Sequence, residues 1–200
     1  MRARPLAALL TLPALVAVAL AAGPAVPASD DPHRSGGHHS DDFLRDLAVA
    51  KKATARFRDE KKAIAAGYKH TDICIKSDEG AMGYHYVKDA YIGSVDPAKP
   101  AMLVYLPAKD KHAKRKLGAV EWVVWDRDDN VNTDEDRPRI LGRGLDGPMP
   151  GHNPAMPVHY DLHAWIWHKN PNGMTAMWHP KVHCPKPKAK PTKPGSTGHH

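Results

Sequence analysis

From Gly67 to Cys184 the chain runs as short blocks, HTDICIK, GYHYVKDAYI, AMLVYLP, LGAVEWVVWD and VHYDLHAWIWHK. Each is rich in Val, Ile, Tyr or Trp, and clusters of Gly, Pro, Asp and Asn separate them. β-Branched and aromatic side chains suit a pleated, half-buried surface, and the breakers between them mark turns. The pattern predicts five or six strands. Ahead of them, FLRDLAVAKKATARFRDEKKAIAAGY repeats Phe43, Leu47, Ala50, Ala53 or Thr54, Phe57 and Ile64 at three- and four-residue steps, with charges on the other face. That spacing predicts one amphipathic helix over residues 42–66, capped by Asp41 or Asp42 and stopped at Gly67. The expected fold class is α+β: an N-terminal amphipathic helix packed on a mainly antiparallel β-sheet or a small β-barrel, cupin-like barrels included. Roughly 145 structured residues suffice for one core and not comfortably for two, and no internal repeat is seen.

The first residues, MRARPLAALLTLPALVAVALAAGPAVPA, place two arginines before an Ala/Leu/Val run and small residues after it. This is the layout of a secretory signal peptide, expected over residues 1–28 with cleavage after Ala28, or alternatively after Ala21. The run is broken by Pro13 and falls short of the ~20 apolar residues a membrane-spanning helix needs, so no transmembrane segment is expected after processing. Residues 29–40, polar and rich in His and Gly, read as a flexible leader, residues 41–184 as the globular domain, and residues 185–200 as a disordered Pro/Lys tail. The expected localisation is secreted, extracellular or associated with the cell envelope.

Net charge is +7, but it sits at the ends. Arg2 and Arg4 leave with the signal peptide and Lys186, Lys188, Lys190 and Lys193 lie in the tail, which leaves +1 for residues 29 to 184. A nucleic-acid partner is therefore not expected, whereas the tail suits contact with anionic cell-wall polymers. In an oxidising compartment the two cysteines, Cys74 and Cys184, are expected to pair; two separate thiols are the alternative.

Two loops stand out. DRDDNVNTDEDRP offers Asp126, Asp128, Asn130, Asn132 and Asp134 at alternate positions, a spacing of oxygen ligands that suits Ca²⁺. It is not an EF-hand, with Val131 where Gly is required and Arg137 where Glu should stand; an ordinary solvated acidic loop is the alternative. LDGPMPGHNPAMP, residues 145 to 157, is stiff and non-repetitive and leads straight into VHYDLHAWIW, as a wall or lid beside a site would.

On a strand, His159, Asp161, His163, Trp165 and Trp167 share one face, and Tyr160, Leu162, Ala164 and Ile166 share the other. His159 and His163 then lie ~13 Å apart, too far to bind one ion together, whereas neighbours two apart are separated by ~6.6 Å and can chelate. Asp161 can therefore work with either histidine, and the remaining ligands must come from other strands. His85 lies between tyrosines in GYHYV, and Glu121 stands inside the apolar run AVEWVVW, where a buried carboxylate must be paired, protonated or metal-bound. His85, Glu121, His159, Asp161 and His163 make a candidate mixed N/O site suited to zinc, iron, manganese or copper. The alternatives are a hydrogen-bond network of structural histidines, with Glu121 paired to an arginine such as Arg143, or a metal-free ligand pocket.

No G-x-S-x-G, Gly-rich phosphate loop, nucleotide fingerprint or H-E-x-x-H occurs, and serine is sparse after the leader. The stretches GAMGYHYV, LGAVEWVV and GPMPGHNPAMPVHYDLHAWIWHKNPNGMTAMWHPKVHC, within residues 50 to 184, resemble a group of exported bacterial proteins that have no established activity. The resemblance implies one secreted domain and assigns no residue a role. Two functions fit the residues: an exported metalloprotein, as an enzyme of oxygenase or isomerase type or as a metal-binding protein; or a non-enzymatic cell-envelope binding module that presents Trp122, Trp125, Trp165, Trp167 and Trp178 to sugars or other small ligands.

Overall fold

The computed structural model describes residues 35–108, 110, 113–151 and 155–186, with side chains from residue 41 onward. The expected signal peptide, the leader up to residue 34, His152 and the tail from residue 187 lie outside the described residues.

The helical region forms as two helices, α1 (Ser35–Thr54) and α2 (Glu60–Ala65), joined by a 3-10 turn at Ala55–Arg58. One helix over 42–66 was the expectation; local hydrogen bonding divides it. The Thr54 hydroxyl donates back to the Ala50 carbonyl at 2.7 Å, a bond that competes with regular helix geometry. Asp59 then leaves the helical region, with φ −90° and ψ 108°, and its side chain accepts the Lys61 N–H, so it caps a fresh helix. Asp42 serves in an ion pair with Arg45 at 2.7 Å rather than as a cap. The stop at Gly67 is as expected, with φ +92°.

All five expected strand blocks form: β1 (Lys69–Ser77), β2 (Gly80–Val87), β3 (Met102–Leu106), β4 (Lys116–Trp125) and β8 (His159–Ala164). Short strands β5 (Arg139–Ile140) and β6 (Arg143–Gly144) form between the acidic and the Pro/Gly loops, and β7 (Asp146–Met149) forms inside the Pro/Gly loop expected over residues 145 to 157. Six strands make one antiparallel sheet in the order β1-β2-β3-β4-β8-β7, and β5 pairs with β6 apart from it. The sheet curls into a half-barrel with β1 and β7 at its two ends, not hydrogen-bonded to each other. The fold is α+β.

Alternation along the strands gives the sheet two unlike faces. Tyr86, Leu103, Tyr105, Val120, Trp122, Tyr160 and Leu162 pack with Leu47, Ala50, Phe57 and Ala63 of the helical region and with Ile140, Leu141 and Leu145. On the opposite face lie two smaller apolar clusters, Met82, Val104, Ala119 and Trp165, and Ala101, Met102 and Val123. Gly83 is pivotal to which side chains appear there. Its φ is +124°, and a Cβ on it would lie 2.5 Å from the Tyr105 carbonyl oxygen. The β1–β2 register slips beside it, and this irregularity puts Met82 and His85 on one face although they are three residues apart.

Beyond β8 the chain closes the second face as an irregular segment. Trp165 N–H donates to the Met174 carbonyl at 2.8 Å, and His179 bridges to Ala81 on β2. The expected disulfide is present: Cys74 on β1 is bonded to Cys184, closing a loop of 110 residues.

Candidate metal centre

Three strands bring His85, Glu121 and His163 to one point. Glu121 on β4 is directly opposite His163 on β8 and opposite Met102 on β3, while His85 on β2 is opposite Val104 on β3. His85 and Glu121 are thus separated by one intervening strand, and their side chains meet above Met102 and Val104. His85 Nε2 lies 3.1 Å from Glu121 Oε2, and His163 Nε2 lies 3.5 Å from the same oxygen. The two imidazole rings are nearly perpendicular, 5.9 Å between centroids.

All three side chains are buried, Glu121 to 2% exposure and His163 to 1%. One ligand atom from each lies within 4.8 Å of the others, and among the described residues these are the only three His, Cys, Asp or Glu side chains grouped in this way. The spacing matches coordination geometry. Bonds of 2.0–2.2 Å place neighbouring ligand atoms about 3.0 Å apart at the cis positions of an octahedron and about 3.4 Å apart in a tetrahedron. The two distances to Glu121 Oε2, 3.1 and 3.5 Å, lie close to these values.

Asp161 and His159 continue the same strand face, as the alternation requires, but stand beside the trio rather than in it. His159 Nδ1 lies 3.2 Å from the Pro157 carbonyl oxygen, which can only accept, so Nδ1 donates there. His159 Nε2 is 3.7 Å from Asp161 Oδ2. Burial pushes the Asp161 carboxyl above its usual range; the nearby Glu121 charge adds to the effect, and His159 and His163 oppose it. Neither oxygen of Asp161 and neither ring nitrogen of His163 makes a hydrogen bond, although all four atoms are sealed from solvent. A buried polar atom without a bond costs roughly 1–3 kcal/mol, and a cation is one agent that removes the cost. Arg143, the alternative partner for Glu121, pairs with Asp146 at 2.6 Å.

The acidic loop directs its oxygens inward to its own backbone. Asp126 Oδ2 and Asp128 Oδ1 both accept the Asn130 N–H, at 2.7 and 3.2 Å, and Asp128 Oδ2 accepts the Thr133 hydroxyl at 2.7 Å. Asn130 Oδ1 accepts the Asn132 N–H, and Asp134 pairs with Arg137 at 2.9 Å.

The five tryptophans fall into three separate apolar clusters. Trp122 and Trp167 pack with the helix-side core, Trp165 and Trp178 with Met82, and Trp125 with Val123. Trp167 does not continue the polar face of β8. The strand ends at Ala164, and the Trp167 and His168 N–H groups both turn to the Gly118 carbonyl.

Beside the trio lies a cavity of about 300 Å³, whose lining includes His85 and Glu121. Part of its wall comes from Ala155, Met156 and Pro157, in the loop read from the sequence as a wall or lid beside a site, and from Trp125. Met102 was legible in principle, because alternation along AMLVYLP puts it on the face opposite Leu103; Ile92 comes from a connecting segment and had no such signal. Comparison with protein-family models, with curated proteins and with solved structures finds no match for this chain.

Proposed function

We propose that this chain is an exported metal-binding protein that holds one transition-metal ion on His85, Glu121 and His163, with Asp161 and His159 as the adjacent polar pair. The observation that carries the reading is the convergence of two imidazoles and a carboxylate, from three strands, at coordination spacing in a buried setting. Two nitrogens and one oxygen suit zinc, iron, manganese or copper. Three protein ligands leave at least one position for water or substrate, the arrangement of reactive centres rather than of closed structural zinc sites. Export is supported by the basic-then-apolar start of the sequence and by the disulfide; no helix among the described residues is long and apolar enough to cross a membrane. The dispersal of the tryptophans favours this reading over an aromatic binding face for sugars.

The test is elemental analysis of the full chain, without an added tag and after dialysis against sub-stoichiometric chelator. About one equivalent of metal is expected, lost in His163→Ala and Glu121→Gln and retained in His39→Ala, a leader variant that controls for adventitious binding. Equal metal content in all four proteins would overturn the assignment.

A further inference from the structure

The cavity next to His85 and Glu121 says what kind of molecule approaches the ion. Its walls are Ile75, Val87, Ile92, Met102, Trp125 and Met156, contributed by the sheet face, by the turn after β2 and by the segment before β8. The polar groups of its lining are few. His85 and Glu121 are at the ligand cluster, and Asp89, exposed elsewhere to solvent, is held by Lys69 at 2.8 Å. No lysine or arginine lines the cavity among the described residues, and neither does His163. The ion is therefore reached from the His85–Glu121 side, with His163 behind it.

This layout restricts the occupant. Apart from the metal ligands, Thr71, Asp89 and the Trp125 indole N–H, the lining residues offer no polar side-chain group, so a ligand with polar atoms distributed along its length would leave most of them desolvated. A volume of about 300 Å³ is at the small end of ligand pockets, enough for one ring or a short branched chain. Borderline metal ions with an open position take an oxygen donor readily. We infer that the cavity is the substrate site of the metal centre and that it takes a small molecule with an apolar, ring-sized body and a single oxygen-donor head directed at the ion. The inference rests on the metal-binding reading of His85, Glu121 and His163.

The experiment loads the full chain with Co²⁺, whose visible spectrum reports inner-sphere changes, counts the bound ion, and titrates with benzoate and with acetate. The two share a carboxylate head and differ in the ring. Benzoate is expected to bind at least about tenfold tighter, because only it fills the apolar cavity. Ile92→Trp, which fills the cavity without touching a ligand, is expected to keep one Co²⁺ and to bring the benzoate-to-acetate ratio close to one; Met156→Phe is a second filling variant should the first fail to fold. One Co²⁺ with equal affinities in the wild type, no spectral response to either anion, or a ratio that survives filling would overturn the inference and leave the metal site standing. Absence of Co²⁺ binding, together with absence of any other metal, would overturn both.

Discussion

The two faces of the sheet are made by the same strands and treat buried polar groups in opposite ways. On the helix side the fully buried polar rings are tied off. Tyr68 donates to the Pro100 carbonyl at 2.8 Å, Tyr105 to the Phe57 carbonyl at 2.5 Å, Tyr160 to Asp136 at 3.0 Å, and the Trp122 indole to the Asp96 carbonyl at 3.1 Å. One residue along the strand, on the other side, His163 and Asp161 are as deeply buried and make no hydrogen bond. A face whose polar groups satisfy one another gains stability and needs no ligand. A face that buries the Asp161 carboxyl and the His163 ring without hydrogen bonds is less stable on its own, and a bound cation would offset the difference. The contrast separates the part of the sheet that builds the fold from the part that could hold a metal ion.

Adjacent residues of β8 give the most direct way to break that contrast. Leu162 is fully buried against the helix side, so Leu162→Ala should cost about 2–5 kcal/mol of unfolding free energy, by lost transfer energy and the cavity left behind. His163→Leu, its neighbour on the other face, replaces a buried polar ring of similar size by an apolar one. In the presence of chelator it should be neutral or stabilising by about 1 kcal/mol, since it removes unsatisfied nitrogens. With metal added, the wild type and Leu162→Ala should gain stability and His163→Leu should not. Urea denaturation of the three proteins with and without metal reads all of this. If His163→Leu in chelator loses as much as Leu162→Ala, His163 is a packing residue and the two faces are not functionally distinct.

The faces also differ in what covers them. Two helices with regular hydrogen bonding lie on one; on the other lies the irregular segment after β8, held by backbone bonds such as Trp165 N–H to Met174 and by the Asn170 amide to the Trp178 carbonyl at 2.9 Å. Cys74–Cys184 closes that segment against β1 across 110 residues of chain. Replacing both cysteines by alanine should therefore lower stability by about 2–4 kcal/mol, chiefly by freeing the unfolded chain. A loss well under about 1 kcal/mol in urea denaturation would mean that packing alone fastens the segment, and that the two covers are held in the same manner.

Local chemistry made much of this legible. The β-rich blocks, the stop at Gly67 and the cysteine pair depend on residue type and short-range order, and each formed, although the second block gives way to a 3-10 turn at Asp89–Tyr91 and the last ends as a strand at Ala164. So did the polar face of β8 from His159 to His163, because alternation is a property of any strand. What alternation does not carry is register. Which of His159, Asp161 and His163 meets Glu121 is decided by the pairing of β4 with β8, and the observed alignment puts Glu121 opposite His163, Val123 opposite Asp161 and Trp125 opposite His159. His85 joined the trio through the irregularity at Gly83, a displacement that the letters GAMGYHYV do not announce. Residues 139–149 formed three short strands because a pairing partner was present, overriding a composition of Gly and Pro that reads as loop.

A smaller effect sharpens the comparison within the histidines themselves. His179 is as buried as His163, yet both its nitrogens are engaged: Nδ1 accepts the Lys181 N–H at 3.1 Å and Nε2 lies 3.1 Å from the Lys169 carbonyl oxygen, to which it donates. This arrangement needs the neutral ring, since a proton on Nδ1 would face an N–H. Burial accordingly lowers the His179 pKa; His168, stacked at 4.8 Å, and Lys181 lower it further, and the Lys169 carbonyl opposes them. The sign follows from linkage. The unfolded chain takes up this proton first as pH falls below about 6.5, so the contribution of His179 to stability is complete above that value and is lost as pH drops through the lower folded-state pKa. His179→Gln should thus flatten the fall in urea midpoint between pH 7 and pH 5, measured with chelator present so that the metal ligands contribute equally to both proteins. A structural histidine is recognised by indifference to metal, and His163 by its response to metal. Identical slopes in wild type and His179→Gln would show that the neutral, doubly bonded ring does not govern the acid side of the stability profile.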